Sequence, residues 1–224
     1  MPILYLGNKA YSSWSMRPFL ALRWAGIAFE DHVLPMIGGV YGKSGDAAIE
    51  AASPTGRVPA LKLDLMTIWD SLAICEWAAE QKPDSGLLPK DPIARAFCRS
   101  AAAEMHSSFQ GIRNKLPMNL RRATKAEDAV RFEDVNIQKD IARLQEIWAD
   151  ARTRFNPAGP FLFGARSIAD AFFTPVATRF RTYGAKVSPE AQAYCDALLA
   201  DAAYLEWEQA AKAETWVIEV FENA

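Results

Sequence analysis

The 224-residue sequence has few of the groups from which metal centres are built. Its three cysteines, Cys75, Cys98 and Cys195, are widely spaced and form no CxxC pair, and its histidines are His32 and His106 alone. No zinc constellation assembles from these at ordinary ligand spacing, so no metal is expected. Buried, inert thiols in a reducing compartment are the expectation for the cysteines. Charge of one sign is also lacking: 25 Lys plus Arg stand against 27 Asp plus Glu, a formal net charge of -2. A nucleic-acid partner would call for a basic excess or stripe. The one dense basic run, Arg121, Arg122 and Lys125, is soon followed by Glu127 and Asp128 and reads as a solvated helix end. No apolar run approaches the roughly 20 residues that span a bilayer, and no basic segment leads into a long apolar stretch at the start. A soluble, cytoplasmic protein without a membrane partner is therefore expected.

What is present is ordinary core material, 50% hydrophobic residues, arranged in two styles. The first eighty residues alternate short apolar runs with helical patterns. Ile3–Leu6 is a strand candidate with Tyr5 in its core. A helix from Trp14 to Trp24 stops at Gly26, and Ala28–Leu34 reads as a second strand. The stretch through Gly38, Gly39, Gly42 and Gly45 reads as mobile surface chain. Ala60–Leu63 and Met66–Trp69 flank Asp64-Leu65 as a hairpin, and a helix runs from Ser71 to just before Pro83.

Gly86 to Pro92 marks a boundary, and Asp91-Pro92 is a helix start, since Asp caps and Pro suits the first helical position. Beyond it everything reads as helix. Phe97, Ala101, Met105, Phe109 and Ile112 form one stripe; Ile137, Ile141, Leu144 and Trp148 form another. Ser167 to Asp170 has the form of a capping box, and Ser188-Pro189 opens a further helix. The divisions are 1–83, a linker at 84–91, and an all-helical unit at 92–224.

Three local features carry chemistry. Tyr11-Ser12-Ser13-Trp14-Ser15-Met16-Arg17-Pro18 sets several hydroxyls at a helix N-terminus, where unpaired N–H groups and a partial positive charge favour an anion; capping by one serine explains the segment equally. Arg57-Val58-Pro59-Ala60-Leu61 places a proline just before a strand, which by itself reads as structural. Asp70-Ser71 at a helix start reads either as a cap or as a cradle for a carboxylate.

In this order and spacing the three features resemble the glutathione transferase superfamily. YSSWSMRPFLALRWAGI is similar to the serine-type signature of its zeta class, which includes maleylacetoacetate isomerases. The resemblance implies a thioredoxin-like glutathione-binding unit followed by the helical glutathione-transferase unit, an α/β plus all-α chain. It implies glutathione as co-substrate, a small electrophile as second substrate, and a homodimer. By position, Ser12 faces the glutathione sulfur, with Ser13 and Ser15 as helping or capping neighbours in the catalytic segment. Val58 and Pro59 stand in the family's cis-proline motif, where Val58 pairs its backbone with the cysteinyl part of glutathione. Asp70 and Ser71 hold the γ-glutamyl end. Trp14 occupies the place of a cysteine in the isomerases, and Arg166 that of a hydrophobic residue before the capping box.

The electrophile's pocket is expected to draw on Tyr11, His106, Arg113 and Arg179, with Met105 and Phe109 in the helix core. Tyr11 is the rival to Ser12 for the sulfur. The expected activity is thiolate attack on an electrophile or glutathione-dependent isomerisation; the alternative is a non-catalytic ligand-binding or interaction module. Thiol–disulfide exchange is excluded by the absence of a cysteine between Ser12 and Ser15.

Overall fold

The computed structural model describes residues 1–36, 47–155 and 158–222; the glycine-rich stretch read as mobile lies outside them. A four-stranded sheet of order β2-β1-β3-β4 is built from β1 (Ile3–Leu6), β2 (Glu30–Val33), β3 (Ala60–Lys62) and β4 (Thr67–Trp69). β1 runs parallel to β2 and antiparallel to β3, and β3 pairs antiparallel with β4. Helix α1 (Ser13–Trp24) connects β1 to β2, α2 (Ala47–Ala52) precedes the hairpin, and α3 (Ser71–Gln81) follows it. This is the expected thioredoxin-like order.

The alternation of β1 sends Leu4 and Leu6 into the core, fully buried, while Ile3 and Tyr5 are half-buried on the other face. Tyr5 is therefore not the core residue expected. Its ring meets His32, its partner across the strand pair, edge-on at 5.8 Å.

The remaining described helices are α4 (Pro92–Ser107), α5 (Gln110–Lys115), a 3-10 turn (Ala126–Glu133), α6 (Val135–Phe155), α7 (Ile168–Tyr183), α8 (Pro189–Leu199), α9 (Ala202–Ala213) and α10 (Glu219–Glu222). Every residue of α7 except Arg181 is buried. It packs on α1, α4 and α8, so it lacks a solvent face, and its buried polar residues must find partners inside the protein.

Its first turn is closed by the predicted capping box. Asp170 accepts from Ser167 N–H at 2.8 Å, Ser167 Oγ at 2.6 Å, Leu162 N–H at 3.2 Å and Tyr194 OH at 2.7 Å. Arg166, in place of the family's hydrophobic residue, lies 5.1 Å over the Phe161 ring and forms an ion pair with Asp201. Asp201 also caps α9 and takes the Trp24 indole N–H at 2.8 Å.

Two sequence expectations fail in this half. The stripe from Phe97 to Ile112 does not lie on one helix. Phe109 takes a left-handed conformation, φ 66°, between α4 and α5. Arg113 holds the break by donating to the carbonyls of Met105 and Ser108, the groups left open at a helix C-terminus. The break seats α5 tightly on α6: a Cβ at Gly111 would lie 2.7 Å from the Asn136 carbonyl carbon.

Nor is the basic run a solvated end throughout: Lys125 is exposed, but Arg122 is not. Arg122 makes a two-pronged ion pair with Asp128, at 2.7 and 2.6 Å, with both side chains almost wholly buried. Arg131 and the Lys125 amide complete that carboxylate's shell. The pairing holds the Asp128 carboxyl down at about 2 against the opposing effect of burial. The sequence shows Asp128 three residues past the run, but nothing local shows that it is buried against Arg122.

Candidate functional site

The turn from β1 into α1 collects the predicted residues around Gly7. A Cβ built there would lie 3.2 Å from Val58 Cγ2 and 3.3 Å from Ser12 Cβ, so only glycine lets the cis-proline segment and the serine segment approach so closely. The Val58–Pro59 peptide bond is cis, as the resemblance implies. Asn8 carbonyl accepts from Tyr11 N–H at 3.1 Å and Ser12 N–H at 2.8 Å, which turns the chain into the helix.

Ser12 is the N-cap of α1. Its Oγ accepts from Ser15 N–H at 3.3 Å and donates to Ser15 Oγ at 2.8 Å, and Ser15 Oγ accepts from Gly7 N–H at 3.0 Å. The three serines are at most 3% exposed. The first turn of α1 holds no acidic residue, so its N–H groups keep their positive field uncompensated by a side chain of that turn.

Asp70 caps α3 from φ 76°, accepting from Leu72 N–H at 2.8 Å. A non-glycine residue in that conformation is uncommon, and such strain gathers at ligand sites. Its other carboxylate oxygen faces His106 Nε2 at 3.3 Å. Ser71, 1% exposed, leaves its Oγ with no hydrogen-bond partner among the described residues.

Trp14 is the hub of the second cluster. The Arg17 guanidinium stacks 4.2 Å from its ring centroid, Arg113 lies 5.1 Å from it, and His106 meets it edge-on at 5.1 Å. Arg17 is sandwiched on its other side by Phe172 at 4.4 Å. It is wholly buried, and Nε, Nη1 and Nη2 have no acceptor among the described residues. Burial, with Arg113 and Arg179 nearby, pushes its pKa well down, while Cys75 and Asp70 oppose. Arg179 donates to Ser13 Oγ at 3.3 Å and to the carbonyls of Leu116 and Pro175, both at 2.9 Å. His106 is held below its ordinary value by burial, against the pull of Asp70 and with the push of Arg17 and Arg113. Its Nδ1 has no hydrogen-bond partner among the described residues.

Of the pocket candidates, His106, Arg113 and Arg179 come together here; Tyr11 does not. It is 2% exposed, and its hydroxyl donates to Glu222 and accepts from Arg121 and from Ile218 N–H. That commitment leaves Ser12, not Tyr11, at the helix start. Arg17 was missed, although it lies one helical turn after Ser13, the spacing that puts two side chains on one face. The three cysteines are free and buried, and burial raises all three; Cys98 and Cys195 reach about 12. A cavity of about 210 Å³ between α7 and α8 shares no residue with either cluster. Among the described residues no group of three metal-ligating side chains occurs, and no helix is long and apolar enough to cross a membrane.

Residues 11–81 match the family model for the glutathione S-transferase N-terminal domain. The chain is 29% identical over 189 residues to maleylacetoacetate isomerase of Mus musculus, covering 84% of this chain and 82% of that one. It is 33% identical over 120 residues to maleylacetoacetate isomerase of Pseudomonas aeruginosa, covering 53% and 55%. In fold it is similar to a glutathione-bound glutathione transferase homologue from Burkholderia, TM-score 0.67 at 24% identity, covering 95% of this chain and 99% of that one. It is also similar in fold to a bacterial zeta-class maleyl pyruvate isomerase, TM-score 0.69 at 23% identity, covering 96% and 100%.

Proposed function

From a chain that carries a glutathione S-transferase N-terminal domain and is a relative of the maleylacetoacetate isomerases, we propose that this enzyme binds glutathione as a thiolate at the start of α1 and delivers it to a small, anionic electrophile. The observation that carries the reading is a helix start whose first turn lacks an acidic residue, capped by a serine that hydrogen-bonds to a second serine.

A free thiol titrates near 8.5, so only a few per cent of glutathione is thiolate near pH 7. Lowering that value by about two units takes roughly 2.7 kcal/mol. One charge-assisted hydrogen bond contributes about 1.5–3 kcal/mol, and the helix end about 0.3–1 kcal/mol more. The serine pair supplies the hydrogen bond without ionising. Ser15 Oγ already accepts from Gly7 N–H, so its own proton can turn to Ser12 Oγ. Ser12 then turns its proton to the sulfur, and the two bonds polarise one another. Asp70 suits the γ-glutamyl ammonium, and Ser71 with the amides of α3 suits its carboxylate. Val58 pairs with the cysteinyl backbone.

The anionic character of the electrophile is supported by Arg17 and Arg113 beside Trp14 and by Arg179 at Ser13. Trp14 narrows the place that a cysteine occupies in the isomerases, and a flat, conjugated acceptor suits its ring. The exposed apolar side chains Leu65, Met66 and Trp69 of the hairpin and Ile93 of α4 suit a homodimer, to be checked by light scattering.

The deciding experiment is a pH titration of the thiolate ultraviolet absorbance of bound glutathione, in wild type and Ser12→Ala. The expected result is a bound pKa well below the free value that rises by one unit or more in the variant. Binding with an unshifted pKa sinks thiolate activation and favours the non-catalytic relative.

A further inference from the structure

The chain beyond α9 returns to the turn that leads into Ser12. Glu214 grips that turn with both carboxylate oxygens: Oε1 accepts from Lys9 N–H at 2.8 Å and Oε2 from Ala10 N–H at 3.2 Å. The grip is itself held. Arg121 donates to the Glu214 carbonyl at 2.5 Å, to the Trp216 carbonyl at 2.8 Å and to the Tyr11 hydroxyl. Tyr11 reaches Glu222, its ring lies 5.8 Å from that of Phe221, and Asn119 Nδ2 donates to the Phe221 carbonyl at 3.3 Å. No residue of 214–222 bonds directly to Ser12, Ser13 or Ser15. The route runs through the backbone: Asn8 carbonyl, one residue before the gripped amides, fixes Ser12 N–H.

We propose that Glu214 is a positioning residue for Ser12, its carboxylate setting the geometry of the Asn8–Tyr11 turn and hence the direction in which the Ser12 hydroxyl is offered to sulfur. The proposal rests on the thiolate reading above. Lys9 and Ala10 are almost wholly buried, and these two amides find their acceptor in Glu214. A buried N–H left unmet is destabilising, so the turn has to move if the carboxylate is removed. The turn is not otherwise loose. Trp207 Nε1 donates to Lys9 carbonyl at 3.0 Å and Leu120 N–H to Ala10 carbonyl at 3.1 Å. Removal of Glu214 therefore frees the donor side while the acceptor side stays tethered, a local shift instead of unfolding. A misplacement of about 1 Å can cost on the order of 10²-fold in rate.

The test uses the full chain with Glu214→Gln, Glu214→Ala and, as a control in the same segment, Glu219→Gln. Three readouts are taken: amide hydrogen exchange at Lys9 and Ala10, the thiolate titration of bound glutathione, and turnover of an activated aryl chloride. Expected in both Glu214 variants are exchange at the two amides at least 10-fold faster, a bound thiol pKa raised by about half a unit or more, and a fall in kcat of about 10-fold with KM for glutathione changed less than twofold. Glu219→Gln leaves all three unchanged. Faster exchange with an unchanged pKa and kcat overturns the proposal and makes the grip a folding contact only. Unchanged exchange overturns it as well. A wild type whose bound thiol is unshifted overturns the thiolate reading itself, and the exchange arm then tells whether the grip exists without that role.

Discussion

The starts of α1 and α7 are both capped by a serine, and they differ in how completely their polar groups are satisfied. At α7, Ser167 bonds back to Asp170, which lies three residues on and has four donors around it. At α1, the residue three after Ser12 is Ser15, no acid occupies the first turn, and the helix carries an unpaired guanidinium one turn further on. The first arrangement is closed upon itself and leaves nothing for a ligand. The second keeps its field and its donors open. A serine at a helix start is thus informative only together with the residue that answers it.

The comparison breaks most strongly at the closed end. Asp170→Ala strips a buried acceptor from four donors and is expected to cost about 3–5 kcal/mol, lowering the melting temperature by about 10 °C in calorimetry. The next largest effect comes from giving α1 the acid that α7 has. Ser15→Asp compensates the helix end, and the bound glutathione pKa should return towards 8.5 with activity down about 100-fold; an unchanged titration would mean that the open helix end does not matter. Arg17→Met removes a buried cation that has no acceptor among the described residues. Its desolvation costs several kcal/mol, against about 2 kcal/mol for each aromatic face, so the ligand-free protein should gain about 1 kcal/mol in urea unfolding.

Ser12→Ala, by contrast with Asp170→Ala, should cost only about 1 kcal/mol of stability, the usual value of a cap. The smallest effect is a pH slope. His106 titrates lower when folded than when unfolded, so its contribution is full above the unfolded value near 6.5 and is lost as pH falls below it. In His106→Gln the decline of melting temperature between pH 7 and 5 should be shallower.

How much of this could be read beforehand follows the range of the interactions. The caps at Asp70, Asp91, Ser167 and Ser188 are written in neighbours within four residues and the hairpin within ten, and each appears as expected. The serine segment was visible for the same reason. What was not legible depends on partners far along the chain. The local pattern gives no sign that Tyr11 is claimed by Arg121 and Glu222, or that Phe109 breaks its stripe so that α5 can meet α6. Arg17 is a middle case: its spacing from Ser13 is visible in the sequence, but only the sandwich of Trp14 and Phe172 shows it dry.

The hold of Glu214 on Lys9 and Ala10 joins positions more than two hundred residues apart. During synthesis the turn ahead of Ser12 leaves the ribosome about two hundred residues before the glutamate that holds it. At about 5–20 residues per second that interval is about 10–40 s. The sheet and α1 can form in that time, but the turn beside Ser12 is set only once Glu214 has been made. A chain halted before Glu214 would thus have the sheet without the hold on its first turn.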